Sequence, residues 1–294
     1  MKHLYEHQKG LLAVFAAGLM WSTGGIFIKL ITWNALQICF ARSLWAAIVF
    51  LIIFKKDIFY ANLFTFINAL FYALLLILFV TATKITTAAN AIFLQYTASI
   101  YVLILEPLIP RTKYEKANIL TIIVCFAGMS LFFIGKLSAG DMWGNLIALG
   151  SGIALAAFLL GMRMNKKEYQ YSSVFYGNIL VSIYCLSSMF DKPAFTMPNL
   201  VMVSFLGIFQ IGIAYAFFSY GLIRVYAIEA SLIAMIEPVL NPVWVFIWYG
   251  EKPSLMAAAG GIIIIAAIAV RTFIYESPSM KEGKSETAGV KSET

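Results

Sequence analysis

Charged residues are scarce in this sequence. Asp, Glu, Lys and Arg make up 12% of its 294 residues, whereas 62% of the residues are hydrophobic. Such a chain has too little polar surface to cover a core in water, which excludes an ordinary soluble domain. The mean hydropathy of +0.87 is typical of an all-α integral membrane protein.

Reactive and metal-binding side chains are also sparse. The two histidines, His3 and His7, lie in the polar N-terminal segment, and Cys39, Cys125 and Cys185 stand alone in apolar stretches. There is no H-E-x-x-H pair, no pair of carboxylates at short helical spacing and no phosphate-binding glycine loop. These absences weigh against an enzyme, a metal site and a bound cofactor. A lipid-modifying membrane transferase and a passive channel are the alternatives to a transporter.

The formal net charge of +7 does not indicate a nucleic-acid partner. A nucleic-acid surface needs a basic face with aromatic residues between the charges, but here the basic residues are scattered over loops. We interpret them as topology signals of a chain embedded in a lipid bilayer. The sequence specifies no oligomeric state.

Ten apolar runs are each long enough to cross roughly 30 Å of hydrocarbon as a helix. They cover residues 10–31, 35–54, 62–82, 86–109, 114–134, 142–164, 171–190, 199–223, 227–249 and 255–274. The first run is too long for the apolar part of a cleavable signal peptide, so we expect it to remain as the first span. The segment 276–294 is polar and predicts a disordered cytoplasmic tail.

Positive charge is unequally divided between the two sides of these spans. The larger set, on the side of the N-terminus, is Lys2, Lys9, Lys55, Lys56, Arg111, Lys113, Lys116, Arg163, Lys166, Lys167, Arg224 and Arg271. The smaller set is Lys29, Lys84, Lys136, Lys192 and Lys252. Because cytoplasmic loops carry the excess of Lys and Arg, we expect a multi-pass protein of the cytoplasmic membrane with both termini in the cytoplasm.

The ten spans divide into two halves of five, residues 1–137 and 138–275. Aligning the first and sixth spans pairs Gly10 with Gly144 and Gly18 with Gly152. A repeat unit with an odd number of spans enters the membrane upside down the second time. The sequence therefore predicts two inverted five-helix repeats, an arrangement suited to alternating access in a secondary transporter.

Several segments carry a resemblance to a known family. They are Trp21-Ser22-Thr23-Gly24-Gly25, Ala41-Arg42-Ser43, Leu94-Gln95-Tyr96-Thr97-Ala98, Glu237-Pro238-Val239 and Gly250-Glu251-Lys252-Pro253. In order and spacing they resemble the EamA family of the drug/metabolite transporter superfamily, up to about Phe273. This chain departs from the family pattern at Ser99, where proline is frequent, and at Thr112, where glutamate is frequent.

The resemblance implies a ten-helix bundle around a central cavity. Spans one, three, four, six, eight and nine would line that cavity, and spans five and ten would lie to one side. Members carry small metabolites, amino acids and drug-like molecules. The cavity side chains that we predict are Trp21, Ser22, Thr23, Gln95, Tyr96, Gln210, Tyr215, Glu237 and Asn241.

Two ionisable residues, Glu237 and Arg42, lie well inside predicted spans, where an unpartnered charge costs several kcal/mol. Glu237 precedes Pro238, whose missing N–H frees a carbonyl one turn back. We consider Glu237 either a proton-coupling group or a protonated side chain bonded at a kink. Arg42 is interpreted as a structural charge that snorkels or pairs with a carbonyl. Glu106 and Glu229 lie near helix ends and are expected to be solvated.

One face of the fourth span and one face of the ninth have matching patterns. Ala91, Gln95, Ala98 and Val102 share a helix face, and the repeat maps them onto Ala230, Ala234, Glu237 and Asn241. These faces indicate either a shared cavity or tight small-residue packing. With aromatic, amide and hydroxyl groups and one carboxyl, the predicted cavity suits neutral or zwitterionic metabolites, and export is the favoured direction.

Overall fold

The computed structural model of this chain describes residues 2–86, 88–108, 116–133, 142–191, 193–249 and 255–273. These residues form helices, and no β-strand occurs in the ranges just given. The predicted all-α membrane fold is confirmed. The predicted tail 276–294 and the predicted boundary between residues 137 and 138 lie outside the described residues.

The helices follow the predicted spans. They are α1 (Lys2–Trp21), α2 (Gly24–Leu30), α3 (Ala35–Phe54), α4 (Leu63–Ile85), α5 (Ala88–Gln95), α6 (Ala98–Leu105), α7 (Lys116–Phe133), α8 (Met142–Met164), α9 (Gln170–Cys185), α10 (Met197–Phe205), α11 (Ala214–Leu222), α12 (Ala227–Ala234), α13 (Ile236–Tyr249) and α14 (Leu255–Phe273). Within the described ranges, seven helical stretches are long and apolar enough to cross a membrane. The shorter apolar helices Lys116–Leu131 and Ala258–Arg271 occupy the fifth and tenth predicted spans, and α12 with α13 occupies the ninth.

Polar residues mark the starts of α3 and α4. Asn34 accepts a hydrogen bond from the Gln37 backbone, and the Gln37 side chain accepts one from Asn34. Asn62 and Thr65 form the same reciprocal pair at the start of α4. These capping boxes satisfy N–H groups that have no partner within the helix, so each span begins at a defined residue.

Three spans are interrupted near their middle. The first span breaks at Ser22 and Thr23, between α1 and α2, and the fourth breaks at Tyr96 and Thr97, between α5 and α6. The ninth breaks at Met235, between α12 and α13. In the eighth span, the π-helical segment Leu206–Ile213 joins α10 to α11. Breaks of this kind at membrane depth are tolerated where they face protein or a cavity.

The helices pack around α4 and α8, which contact each other extensively. Helix α4 also packs on α9, α3 packs on α9 and on the π-helical segment, and α1 packs on α11. Helices α7 and α14 pack mainly against each other and lie to one side of the bundle. The outer surface exposes large apolar side chains such as Ile52, Leu63 and Leu255, as a lipid-facing surface requires.

Two glycines that the sequence pairs pack in equivalent ways. A Cβ on Gly18 of α1 would lie 2.8 Å from Ile236, at the break between α12 and α13. A Cβ on Gly152 of α8 would lie 2.9 Å from the carbonyl of Gln95 and 2.8 Å from Thr97, at the break between α5 and α6. Because it has no side chain, each glycine allows the broken helix of the opposite half to pack closely against it. The two contacts are equivalent, as expected for the internal repeat.

Candidate functional site

A small cavity lies in the middle of the bundle, where the broken helices meet. Its volume is about 50 Å³. Its walls are formed by Trp21, Arg42, Leu75, Leu76, Phe79, Gln95, Tyr96, Ala98, Ser99, Leu155, Leu159, Gln210, Ile211, Tyr215, Phe218, Ser231, Ala234 and Glu237. These side chains come from spans one, two, three, four, six, eight and nine. The set expected from the resemblance is therefore present, and span two is added through Arg42.

The two broken spans four and nine are joined by one hydroxyl group. The Tyr96 hydroxyl lies 2.5 Å from the Ala234 carbonyl and 2.9 Å from Oε2 of Glu237. In a continuous helix the Ala234 carbonyl would accept from residue 238, but Pro238 has no N–H. The carbonyl that the sequence predicted to be free thus receives its hydrogen bond from the opposite half of the chain.

The hydrogen count at Tyr96 constrains the state of Glu237. A phenol has one hydrogen, whereas a carbonyl oxygen only accepts. Both contacts are full hydrogen bonds only if the Tyr96 O–H donates to Ala234 and the carboxyl group of Glu237 donates to the Tyr96 oxygen. Glu237 is 7% exposed, and burial of an ionised carboxylate without a countercharge is costly. A protonated Glu237 would satisfy both contacts at once, whereas an ionised Glu237 would receive the Tyr96 hydrogen and leave the Ala234 carbonyl without it.

Aromatic rings form one wall of the cavity. The Trp21 ring lies 4.8 Å from the Tyr215 ring and 4.9 Å from the Phe218 ring, measured between centroids. Tyr215 in turn makes an edge contact with Tyr72 at 4.8 Å. Tilted and edge arrangements of this kind are favourable for aromatic pairs and hold the rings at fixed positions. The wall offers both an apolar surface and a π-face to a bound molecule.

Arg42 of α3 contributes the only arginine or lysine among the cavity side chains named above. Its side chain is 1% exposed, and its Nη2 donates to the Leu76 carbonyl at 3.3 Å. The predicted carbonyl contact is present, but the side chain lies buried at the cavity and does not reach the outer surface. Its Nε and Nη1 atoms have no hydrogen-bond partner among the described residues.

Three further polar atoms at the cavity lack a partner within the described part of the chain. They are Nε1 of Trp21, Oε1 of Gln210 and Oγ of Ser99. Each residue is at most 8% exposed. Buried polar groups are normally hydrogen-bonded, and an unpaired one costs about 1–3 kcal/mol. With the two nitrogen atoms of Arg42, they give the cavity wall both hydrogen-bond donors and an acceptor that the chain leaves unused.

The predicted cavity residues fall into three groups. Trp21, Gln95, Tyr96, Gln210, Tyr215 and Glu237 line the cavity. Ser22 and Thr23 lie at the break between α1 and α2 and are not among its lining side chains. Their hydroxyls donate to the carbonyls of Leu19 and Met20, and Ser22 also accepts a hydrogen bond from Trp244. The Asn241 side chain lies outside the described residues.

Sequence reasoning missed the place of Arg42 in the cavity. The sequence did show that Arg42 lies deep in a span and has no acidic residue one helical turn away. It did not show which face of α3 packs against the bundle, because that depends on tertiary packing. On the matched helix faces, Gln95, Ala98, Ala234 and Glu237 line the cavity. Ala91, Val102 and Ala230 are fully buried and serve packing.

A second polar cluster lies at the end of the bundle that carries the N-terminus. We call His7, Glu106, Arg163, Glu229 and Arg271 the end network. Glu106 accepts hydrogen bonds from the backbone of Ala227 and Ile228, both at 2.9 Å, and lies 3.9 Å from Arg163. The first N–H groups of α12 are thus capped by a carboxylate from another span.

The other carboxylate of the end network is also paired. Glu229 lies 3.1 Å from the His7 ring and 3.6 Å from Nη2 of Arg271, and it accepts a hydrogen bond from the Tyr226 backbone. Glu106 is 3% exposed and Glu229 is 5% exposed. The expectation that these two residues are solvated was wrong, because charges at neighbouring helix ends bury and satisfy them.

A family model described as the EamA-like transporter family matches residues 8–134 and 142–273. An uncharacterized transporter of Archaeoglobus fulgidus is 24% identical over 267 residues, which cover 89% of this chain and 95% of that protein. A second uncharacterized transporter of the same organism is 25% identical over 201 residues, covering 65% of this chain and 69% of its own length.

A solved structure has the same fold. It is titled "Crystal structure of protein" and superposes with a TM-score of 0.77 at 15% sequence identity. The match covers 91% of this chain and 98% of the solved chain. At this identity the likeness concerns the arrangement of the helices alone.

Proposed function

Since the chain belongs to the EamA-like transporter family and is a membrane transporter, we propose that it moves small zwitterionic or neutral metabolites, such as amino acids, by alternating access. The two halves, residues 1–137 and 138–275, act as inverted repeats on either side of the cavity. Export across the cytoplasmic membrane is the favoured direction. The observation that carries this proposal is the Tyr96–Glu237 contact between the two broken spans.

The size of the cavity supports alternating access. Pockets that bind small molecules commonly measure about 300–1,000 Å³, whereas this cavity measures about 50 Å³. The walls must therefore move apart to admit a metabolite. The helix breaks at Tyr96 and Met235 lie beside the cavity, and broken helices of this kind form the substrate sites of other carriers.

The arrangement at Glu237 supports coupling to protons. When Glu237 loses its proton, the Tyr96 O–H becomes the donor to the carboxylate and no longer serves the Ala234 carbonyl. Proton release therefore replaces two hydrogen bonds between spans four and nine with one charge-assisted hydrogen bond and leaves the Ala234 carbonyl without its donor, which changes the contact at the break in span nine. Besides Glu237 and Tyr96, the ionisable groups of the cavity wall are Arg42 and Tyr215. Both can interact with the negative charge that Glu237 acquires when it loses its proton.

Competition at Glu237 gives the direction of exchange. A substrate ammonium group is attracted to an ionised Glu237 and is no longer attracted once the proton is back, because either cation neutralises the one carboxylate. A carrier whose site holds either a proton or a substrate exchanges the two across the membrane. With protons entering the cell, the substrate leaves it.

Glu237→Gln tests this mechanism, because glutamine keeps the shape and cannot release a proton. In reconstituted vesicles, the variant should retain substrate counterflow while accumulation driven by a pH jump disappears. Tyr96→Phe is the companion variant: it keeps the ring and removes the hydroxyl, so it should weaken the pH response without abolishing counterflow. An unchanged response of Glu237→Gln to the pH jump would rule out the coupling role.

A panel of amino acids, nucleosides and organic cations identifies the substrate class in the same vesicles. Exchange of amino acids but not of nucleosides or cations supports the zwitterion proposal. Absence of exchange for every compound, with correctly folded protein, contradicts it.

A further inference from the structure

Arg42 is the least satisfied charge in the described part of the chain. It lies on α3 with 1% of its surface exposed, and two of its three side-chain nitrogen atoms lack partners. No carboxylate of the described residues lies within ion-pair distance of it. A buried guanidinium in an apolar medium carries a large desolvation cost unless it is paired. The bond to the Leu76 carbonyl offsets only part of that cost.

The chain satisfies Arg42 poorly. The one hydrogen bond that it makes among the described residues, Nη2 to a backbone carbonyl at 3.3 Å, is longer than typical for a charged donor. An apolar side chain of the same length would avoid the desolvation cost altogether. The free N–H groups therefore point to a partner that is present for part of the transport cycle.

A carboxylate is the partner whose chemistry fits these groups. Guanidinium presents its donors in a plane that matches the two oxygens of a carboxylate, and it stays charged at every relevant pH. A phosphate monoester carries about two negative charges, and the cavity wall supplies a single cation. One arginine thus matches a singly charged carboxylate better than a sugar phosphate or a nucleotide.

The surrounding atoms suit an amino group next to that carboxylate. The unpartnered Oε1 of Gln210 is an acceptor, and Glu237 provides a carboxyl group in the same cavity. The Trp21 and Tyr215 rings present π-faces, which attract ammonium groups. The unpartnered Nε1 of Trp21 adds a second donor for a carboxylate oxygen.

We propose that Arg42 binds the carboxylate of the transported molecule, so that the substrates are small molecules carrying a carboxylate next to an amine, as α-amino acids do. This inference rests on the proposed transport function and names the substrate class of its cavity. Arg42 then acts as a fixed anion-binding group, while Glu237 alternates between the proton and the substrate amine.

The test compares three chemical forms of one compound in vesicles that contain the wild-type protein. Each of the twenty amino acids is first assayed in counterflow. For an amino acid that exchanges, its amide, which lacks the carboxylate, and its deaminated acid, which lacks the amine, are added as competitors. The amide should compete at least roughly tenfold more weakly than the amino acid, because a hydrogen bond to a charged group is worth about 1.5–3 kcal/mol. Equal competition by the amide would overturn the proposal.

The Arg42→Gln variant makes the assignment specific to this residue. It should lose the preference for the amino acid over its amide, so that the two compete equally. Arg224→Gln is the matched control, because Arg224 pairs with Glu6 and stacks on Tyr220 outside the cavity, and it should keep the wild-type preference. If a folded Arg42→Gln protein still discriminates against the amide, another residue binds the substrate carboxylate and the proposal is overturned.

Failure of this proposal is distinguishable from failure of the transport function. Exchange of nucleosides or organic cations, with no amino acid exchanged, retains a transporter and overturns a carboxylate site at Arg42. Because the competition series uses the wild-type protein, it decides the question even if Arg42→Gln does not fold.

Discussion

Two polar regions lie inside the helical bundle, and they differ in how far their charges are satisfied. In the end network, each oxygen of Glu106 accepts a backbone N–H, and Glu229 contacts His7, Arg271 and the Tyr226 backbone. In the cavity, Arg42 leaves two nitrogen atoms unpaired. Glu106, Glu229 and Arg271 are buried nearly as completely as Arg42, so burial alone does not separate the two regions.

The difference indicates distinct roles. A charge whose partners are all supplied by the chain stabilises the conformation in which those partners meet. A buried donor without a partner destabilises the empty protein and binds a molecule that completes its hydrogen bonds. The end network therefore holds helix ends together, and the cavity is the region where the proposed substrate would supply the missing partners.

The largest expected effect is on stability at the end network. Glu106→Ala removes the cap of α12 and leaves Arg163 without this carboxylate. We expect a loss of about 3–5 kcal/mol, as for other broken buried pairs, seen as a low yield of monodisperse protein and a lower melting temperature. Glu168→Ala is the control, because Glu168 is 60% exposed in its pair with Lys166. Equal melting temperatures of the two variants would contradict a structural role for the end network.

Arg42→Gln should behave in the opposite way. Since Arg42 is poorly satisfied in the empty protein, its replacement should leave the melting temperature unchanged or raise it while transport falls at least roughly tenfold. Thermal melting in detergent and counterflow in vesicles measure the two quantities on one preparation. A drop in melting temperature as large as that of Glu106→Ala would place Arg42 with the structural charges.

Two tryptophans extend the comparison to a smaller effect. The Trp21 indole N–H has no partner, whereas Trp33 donates to the Ala194 carbonyl at 2.8 Å. Trp21→Phe keeps an aromatic ring and should weaken substrate affinity roughly 3- to 10-fold with little change in stability. Trp33→Phe should lower the melting temperature and leave affinity unchanged. The same pattern in both variants would remove the distinction between paired and unpaired groups.

The smallest effect is expected from probes of orientation. Cysteines at Asn34 and Asp57 lie at exposed positions in consecutive loops, and Cys39, Cys125 and Cys185 are buried. The charge distribution predicts that an impermeant thiol reagent labels Asn34→Cys from outside the cell and does not label Asp57→Cys. The end network would then face the cytoplasm. Labelling of both positions from the same side contradicts the ten-span topology.

The span pattern was readable from sequence because hydrophobic runs of fixed length report directly on the bilayer. The carbonyl freed by Pro238 was also predicted, since proline acts locally. The break at Tyr96 and Thr97 has no glycine or proline beside it, and it depends on the approach of Gly152 from α8. The π-helical turn at Leu206–Ile213 likewise carries no reliable local signal.

The polar contacts were harder to predict than the helices. Arg42 reaches the cavity and Glu106 reaches the start of α12 only because distant spans pack together. A sequence shows that such a residue lies at membrane depth, but not which span supplies its partner. Glu237 was identified because burying a carboxylate at membrane depth costs free energy whichever way its helix faces.

The described cavity wall has a single carboxyl group, and this limits the number of protons that the proposed exchange can use. Glu237 aligns with Ala98 in the first half, so the internal duplication supplies one acidic site and not two. In the proposed exchange, one proton then moves for each substrate molecule. For an exported zwitterion without net charge, one pH unit supports a tenfold concentration ratio. A membrane potential of 100 mV adds about 2.3 kcal/mol, or roughly a further fiftyfold.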